Sequence, residues 1–231
     1  MSLDLHQAPS GVTKNSISGS FVFVIDNDAS LRAALKELFE SVGLQVELFA
    51  SGSAFLENRP PESTNTCLVL GVRLPGMSGL RFQEELARAE VNIPIIFLTG
   101  HGDIPMAVRA MKAGAVDFLT KPFRNQDLLD AVSTALDQDR ARRAKEQSSS
   151  TLRESFDSLS ARERDVVAGV TAGRLNKQIA ADLGVSEVTV KVHRANAMRK
   201  LRAKSVPELV RTTDLLGVTP SGPGTPDPIA G

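Results

Sequence analysis

The chain has 231 residues, 42% of them apolar and 23% charged, with 27 basic and 27 acidic side chains in a formal net charge of +0. That length accommodates two modest domains, each able to bury its own core. The single cysteine, Cys67, excludes an intramolecular disulfide and a cysteine-built metal site; within the apolar run TCLVL it reads as a buried, inert thiol.

No apolar run reaches the length of a membrane span and the N-terminus carries no signal-peptide pattern, so a cytoplasmic protein with no membrane partner is expected. The neutral total conceals an asymmetry. Residues 159–211 hold 11 Lys and Arg against 5 Asp and Glu, a net of +6, whereas residues 1–158 hold 16 against 20, a net of −4. A cationic C-terminal part beside an acidic N-terminal part is the distribution of a DNA-contacting domain attached to a separate control domain.

Residues 1–19 are polar and aperiodic and predict a disordered tail. Over residues 20–136 strand and helix signals alternate. FVFVI, from Phe21, predicts a strand buried on both faces, ending in Asp26, Asn27 and Asp28. Ser30 is the expected N-cap of a helix with the apolar stripe Leu31, Ala34, Leu35, Leu38, Phe39 and Val42, stopped by Gly43. Further strands are predicted at Gln45–Phe49, Cys67–Leu70, Ile95–Leu98 and Ala115–Leu119. Helices are predicted around Ser53–Glu57, Leu80–Ala89, Pro105–Ala113 and from Gln126 to about Ala141. Five strands alternating with five helices imply an α/β fold, a doubly wound five-stranded parallel sheet covered on both faces. Ligand chemistry then belongs at the C-terminal strand ends, which hold Asp26, Asn27, Asp28, Gly71, Thr99 and Lys121.

Residues 137–157 are charged and then serine-rich, predicting a helical extension that frays into a flexible linker with its hinge at Ser148–Thr151. Residues 158–217 predict an all-α domain. Within it, NKQIAADLGVSEVTVKVHRANAMRKL reads as two helices around a sharp turn, with Ile179, Ala180 and Leu183 at helical spacing, Gly184 in the turn and Ser186 as the N-cap of a helix starting at Glu187. Along that second helix Val188, Val192, Ala195 and Met198 are expected inward, and Thr189, Lys191, His193, Arg194, Arg199 and Lys200 outward as a cationic surface suited to a major groove. Residues 218–231, rich in Pro and Gly, predict a second disordered tail.

With LSARERDVVAGVTAG ahead of the turn and KSVPELV behind it, Leu159 to Arg211 closely resembles the four-helix helix-turn-helix output domain of the LuxR/FixJ/NarL transcription regulators. The words VFVIDND, CLVLGVRLPGMSGL, IIFLTGHGD and AMKAGAVDFLTKPF, from Phe21 to about Ala135, resemble the flavodoxin-like receiver domain of response regulators, closest to the FixJ-like branch. In that family an aspartate ending the third strand accepts a phosphoryl group, paired acids after the first strand help hold Mg²⁺, and a Thr and a Lys answer the phosphoryl charge. Thr99, Lys121 and Phe118 match the switch and charge positions. Gly71 falls at the acceptor position and Asn27 at one of the paired acids, so Asp26, Asn27 and Asp28 read as a vestigial acidic pocket with very weak Mg²⁺ affinity and no cofactor.

The resemblance implies a homodimer on double-stranded promoter DNA at an inverted repeat. It places Lys191, Val192 and Ala195 toward the bases, and leaves Asn176, Lys177, Thr189, His193, Arg194 and Lys200 for phosphates or packing, with Ser186 as the cap. Its dimer surface matches Met106, Arg109, Lys112 and Asp127; Val108, Met111 and Phe118 beside them are expected to be buried. Without an acceptor, the expected protein is a phosphorylation-independent transcription regulator, not an enzyme, whose dimer forms unaided or through a sensor protein, a small ligand or concentration. Two other classes fit part of the pattern. Asp26 and Asp28 with Thr99 and Lys121 are also similar to Mg²⁺-dependent haloacid-dehalogenase-like phosphatases, although no acid pair near the fourth strand completes that site. A receiver-type protein-interaction module is the other, against which the basic helix speaks.

Overall fold

The computed structural model describes residues 19–58, 64–100 and 104–217, so apart from Gly19 the two predicted tails lie outside the described residues. The chain divides into two compact units, residues 1–143 and 144–231. In the first, five parallel strands, β1 (Phe21–Ile25), β2 (Gln45–Phe49), β3 (Thr66–Gly71), β4 (Ile95–Thr99) and β5 (Asp117–Thr120), lie in the order β2-β1-β3-β4-β5. Helices α1 (Ala29–Ser41), α2 (Gly52–Glu57), α3 (Gly79–Arg88), α4 (Ile104–Lys112) and α5 (Asn125–Asp157) alternate with them. This is the predicted doubly wound sheet.

The period-2 pleat sorts its side chains. Val22, Val24, Cys67, Val69, Ile96 and Leu98 point to one face and pack with Leu35 and Phe39 of α1 and with Leu128, Val132 and Leu136 of α5. Phe23, Ile25, Leu68, Leu70 and Phe97 point to the other, against Phe55 of α2, Phe82 and Leu86 of α3 and Ala110 of α4. Phe55 centres that second layer, edge-on to Phe23 at 5.5 Å, Phe49 at 5.3 Å and Phe82 at 6.1 Å between ring centroids. Each such fully buried side chain contributes about 1.5–3 kcal/mol.

Three expectations need correction here. The N-cap of α1 is Asp28, not Ser30: extended at φ −82, it accepts hydrogen bonds from the Ser30 and Leu31 N–H groups, so the helix begins earlier. Val108 and Met111 are 44% and 45% exposed, because α4 turns only Ala110 fully into the core. Finally, α5 is a helix of 33 residues that runs unbroken through Ser148–Thr151, where the hinge is predicted. Its serines return hydrogen bonds to the helix itself, Ser148 Oγ to the Ala144 carbonyl and Ser150 Oγ to the Gln147 carbonyl, instead of competing with it.

The middle of α5 is tied to the sheet by Asp139, whose side chain is fully buried. It accepts from the Thr66 N–H at the start of β3 at 2.9 Å and from Arg142 Nη2 and Arg143 Nε. Beside it, burial first and the Asp139 charge second push the Cys67 thiol far up from its ordinary pKa, so that the sulfur stays protonated.

The second unit packs α6 (Ala161–Thr171), α7 (Asn176–Leu183), α8 (Glu187–Lys200) and α9 (Val206–Leu215) around Val166, Val167, Val170, Ile179, Val190, Ala197, Leu201 and Leu209. Gly169 lets α6 and α7 approach, since a Cβ there would lie 2.7 Å from Ile179 Cγ1. Ser160 and Glu163 form a capping box on α6, and Glu163 Oε2 also accepts from Lys200 Nζ of α8 at 2.7 Å. The hydrogen bond from Lys200, followed by that from the Ser160 N–H, holds the Glu163 carboxyl below its ordinary pKa. A carboxyl depressed by folding stabilises above the ordinary carboxylate range and loses that contribution as pH falls through its folded value. The melting temperature of Glu163→Gln should therefore lie below that of the parent near neutrality, and the gap should close below about pH 4. A gap that ignores pH would show that shape, not charge, is what Glu163 supplies.

Candidate functional site

Apart from the dimer-surface residues on α4 and α5, the residues that the sequence singles out lie in two places. The first is a cleft of about 270 Å³ at the C-terminal edge of the sheet, where Asp26, Asn27, Asp28, Gly71, Thr99 and Lys121 do converge. Asp26 follows β1 and is 2% exposed. Its Oδ2 lies 2.8 Å from Lys121 Nζ and its Oδ1 accepts from the Asp28 N–H at 2.9 Å. Asn27, with its amide nitrogen turned inward, donates to Asp26 Oδ1 and to the Arg73 carbonyl. Arg32 Nη1 donates to the Asp26 carbonyl. Thr99 is 3% exposed, and the Lys121-Pro122 bond is cis.

Gly71 ends β3 against this carboxylate. A Cβ on residue 71 would lie 2.8 Å from Asp26 Oδ2, so the space beside Gly71 belongs to Asp26. Glycine at 79 closes the other side, where a Cβ would run into the Gly71 carbonyl oxygen. A divalent cation needs several converging oxygens with free lone pairs. Here Asp26 is engaged by Lys121 and two donors, Asp28 caps α1, Asn27 offers an amide and Gly71 offers no side-chain oxygen. The donor set does not fit Mg²⁺, and among the described residues no group of three His, Cys, Asp or Glu is placed to hold a metal.

The second place is the α7–turn–α8 pair. Gly184 caps α7 in the left-handed region at φ +64, a conformation that a side chain would resist. Ser186 then caps α8 by accepting from the Thr189 N–H at 3.1 Å, and the two hydroxyls are 2.8 Å apart. The phase of α8 differs from expectation. Val190 and Ala197 are its buried residues, with Met198 partly buried; Val188, Val192 and Ala195, expected inward from helical spacing, are exposed, the two valines at 69% and 53%, and for Val192 and Ala195 this is the side that the resemblance gave to the bases. Two apolar stripes run along this helix, and packing against α6 and α7 selects the one through Val190 and Ala197. Lys191 and Lys177 are exposed, and Thr189 and His193 are half-buried. Arg194 Nη1 donates to Asn176 Oδ1 at 3.3 Å, linking α8 to α7. Lys200 is half-buried and bonds Glu163 and the Ser158 carbonyl.

On α4, Met106 is half-buried, Arg109 and Lys112 are exposed, and Asp127 is exposed in the first turn of α5. Ile104, 81% exposed, extends Val108 and Met111 into an apolar stripe that sequence reasoning missed, although the i, i+4, i+7 spacing is its signal. Phe118 is half-buried against Phe97, ring centroids 6.1 Å apart. Arg73, two residues past β3, also lines the cleft and was not anticipated.

A sheet with its polar cleft at one end, followed by a helix-turn-helix with a cationic outer face, defines a receiver domain joined to a DNA-binding output domain. Comparison with known proteins agrees: residues 22–133 match the response regulator receiver domain, and residues 157–213 match the bacterial regulatory proteins of the luxR family. Nodulation protein W of Bradyrhizobium diazoefficiens is 52% identical over 87% of this chain and 88% of that protein. The transcriptional regulatory protein FixJ of Azorhizobium caulinodans is 44% identical over 89% and 97%. The solved structure of the response regulator StyR is 48% identical and covers 85% of this chain and 99% of that one, with a TM-score of 0.78. The chain belongs to the LuxR/FixJ-type response regulators, a family of transcription regulators and not of enzymes. The phosphatase alternative falls with that.

Proposed function

We propose that this protein regulates transcription without being phosphorylated, as a cytoplasmic homodimer that binds an inverted repeat in double-stranded DNA and needs no metal cofactor. The observation that carries the reading is the closed pair at Gly71: residue 71 has no nucleophile, and the Asp26 carboxylate that occupies its side-chain space is neutralised by Lys121. A receiver whose pocket already holds a balanced charge pair has neither an acceptor nor an incentive to take up a phosphoryl group. Contact with a sensor protein would then act by binding alone.

The apolar stripe Ile104, Val108 and Met111, with Met106 beside it, suits a two-fold interface in which Arg109 and Lys112 of one copy meet Asp127 of the other. Dimerisation would bring two α8 helices to successive major grooves about one helical turn apart. Lys191, Val192 and Ala195 face the base edges in this reading. Lys177, Thr189 and His193 lie toward phosphates, while Ser186 caps α8, Arg194 and Asn176 link it to α7, and Lys200 ties it to Glu163 of α6.

Sedimentation of the full chain at micromolar concentration, with and without Mg²⁺ and acetyl phosphate, tests the proposal together with DNA affinity under the same conditions. The expected result is a dimer whose mass and DNA affinity ignore both additions. A monomer converted to a dimer by acetyl phosphate, or a gain in DNA affinity of about tenfold, would overturn it.

A further inference from the structure

The serine-rich part of α5 and the end of α8 meet across a groove of about 440 Å³, all of whose walls belong to the second unit. Gln147, Ser148, Thr151 and Ser155 line one side, on a single face of α5 that runs for two turns, about 10 Å. Ser and Thr are weaker helix formers than the Ala, Glu or Lys that would serve a plain solvated spacer. Leu152, partly buried, and Leu201, 2% exposed, supply the apolar part of the lining.

Arg202 closes the groove just beyond α8. Its φ is +53, in the left-handed region that favours glycine. The same position after α1, α4, α6 and α9 is Gly43, Gly114, Gly173 and Gly217, each at positive φ. The turn needs only backbone groups, the Arg202 N–H donating to the Arg199 carbonyl at 3.2 Å and the Ala203 N–H to the Met198 carbonyl at 2.9 Å. Arginine therefore strains a turn that glycine would make freely, and what it adds there is its side chain. Among the described residues the Arg202 guanidinium bonds to no acid, carbonyl or hydroxyl, and no carboxylate lines the groove.

An unpaired arginine beside hydroxyl and amide groups, over two leucines, has the chemistry of a site for a small organic anion. The guanidinium fork can take two oxygens of a phosphate. Along α5, the Gln147 amide and the Thr151 and Ser155 hydroxyls both donate and accept, and Ser148, whose proton goes to the Ala144 carbonyl, keeps an oxygen that accepts. Such groups pair with the hydroxyls of a sugar, whose C–H face can rest on Leu152 and Leu201. The volume falls in the range of small-molecule sites. We propose that this groove binds a sugar phosphate, with the phosphate on Arg202 and the sugar hydroxyls along α5. The site stands apart from the receiver cleft and is independent of how the protein dimerises or reads DNA.

Calorimetric titration of the full-length protein with glucose 6-phosphate is the test. One site per chain is expected, at least tenfold tighter than for inorganic phosphate. Arg202→Gly relaxes the turn, so its melting temperature should not fall, while its affinity for glucose 6-phosphate drops at least tenfold. Thr151→Ala, at an exposed position and with the better helix former, should lose about threefold. No binding at millimolar concentration, equal affinity for glucose 6-phosphate and inorganic phosphate, or unchanged affinity in either variant would overturn the proposal.

Discussion

Asp139→Ala is expected to destabilise the first unit by about 3–5 kcal/mol, the range for removing one partner of a buried charge cluster. The Asp139 side chain has no solvent exposure, and its oxygens satisfy the Thr66 N–H, Arg142 and Arg143 together. Alanine would strand a buried backbone donor at the start of β3 and remove the carboxylate that Arg142 and Arg143 share. Asp139→Asn keeps an acceptor for Thr66 and should lose less. The chain has no Trp or Tyr, so urea unfolding is best followed by far-ultraviolet circular dichroism. Cys67, buried at this same end of β3, supplies a second readout. Its thiol should react slowly with a disulfide reagent in the parent and faster in Asp139→Ala, as local opening exposes it. Equal stability of parent and alanine variant would show that the cluster is an ornament of the surface and not an anchor.

Gly71→Asp should lower the melting temperature. Its Cβ would fall 2.8 Å from Asp26 Oδ2, and its carboxylate would enter a cleft where Lys121 already balances one negative charge. Close carboxylates repel by roughly a kcal/mol or more per pair at partly solvated dielectric. With the steric part the total loss is about 1–3 kcal/mol, which for a domain of this size shifts the midpoint by roughly 3–5 °C per kcal/mol. Gly71→Ala isolates the steric share. Adding Asn27→Asp should deepen the loss in the absence of metal, and Mg²⁺ should then return part of it, while leaving the parent chain unaffected. A midpoint that stays or rises in Gly71→Asp would mean that Asp26 swings aside without penalty, and the closed-pair argument would fail.

Much of the architecture was legible in the residues because its signals are local. FVFVI, CLVL and IIFL are apolar runs too short for helices and bounded by polar residues, glycine or proline, and they lie in strands β1, β3 and β4. Gly184 followed by Ser186 marked the turn and the start of α8, since positive φ and an N-cap hydroxyl are requirements of single positions. The strand-end set was equally visible, because a parallel sheet delivers its C-terminal ends to one edge whatever the side chains there are.

Other outcomes depended on partners remote in sequence. Asp26 meets Lys121 across 95 residues, Asp139 meets Thr66 across 73, and Lys200 meets Glu163 across 37. The serine-rich part of α5 carries the composition of a linker, yet a helix begun at Asn125 propagates through it. The sequence by itself determined the sheet, the helix pair and which residues gather at each site, because propensity and periodicity act within a few residues. Only the tertiary structure decided that Asp26 takes the space beside Gly71, that Asp139 is buried and that α8 turns Val190, and not Val188, into the core. When a helix carries two apolar stripes or a charge has several possible partners, local energies are nearly equal, and long-range packing makes the choice.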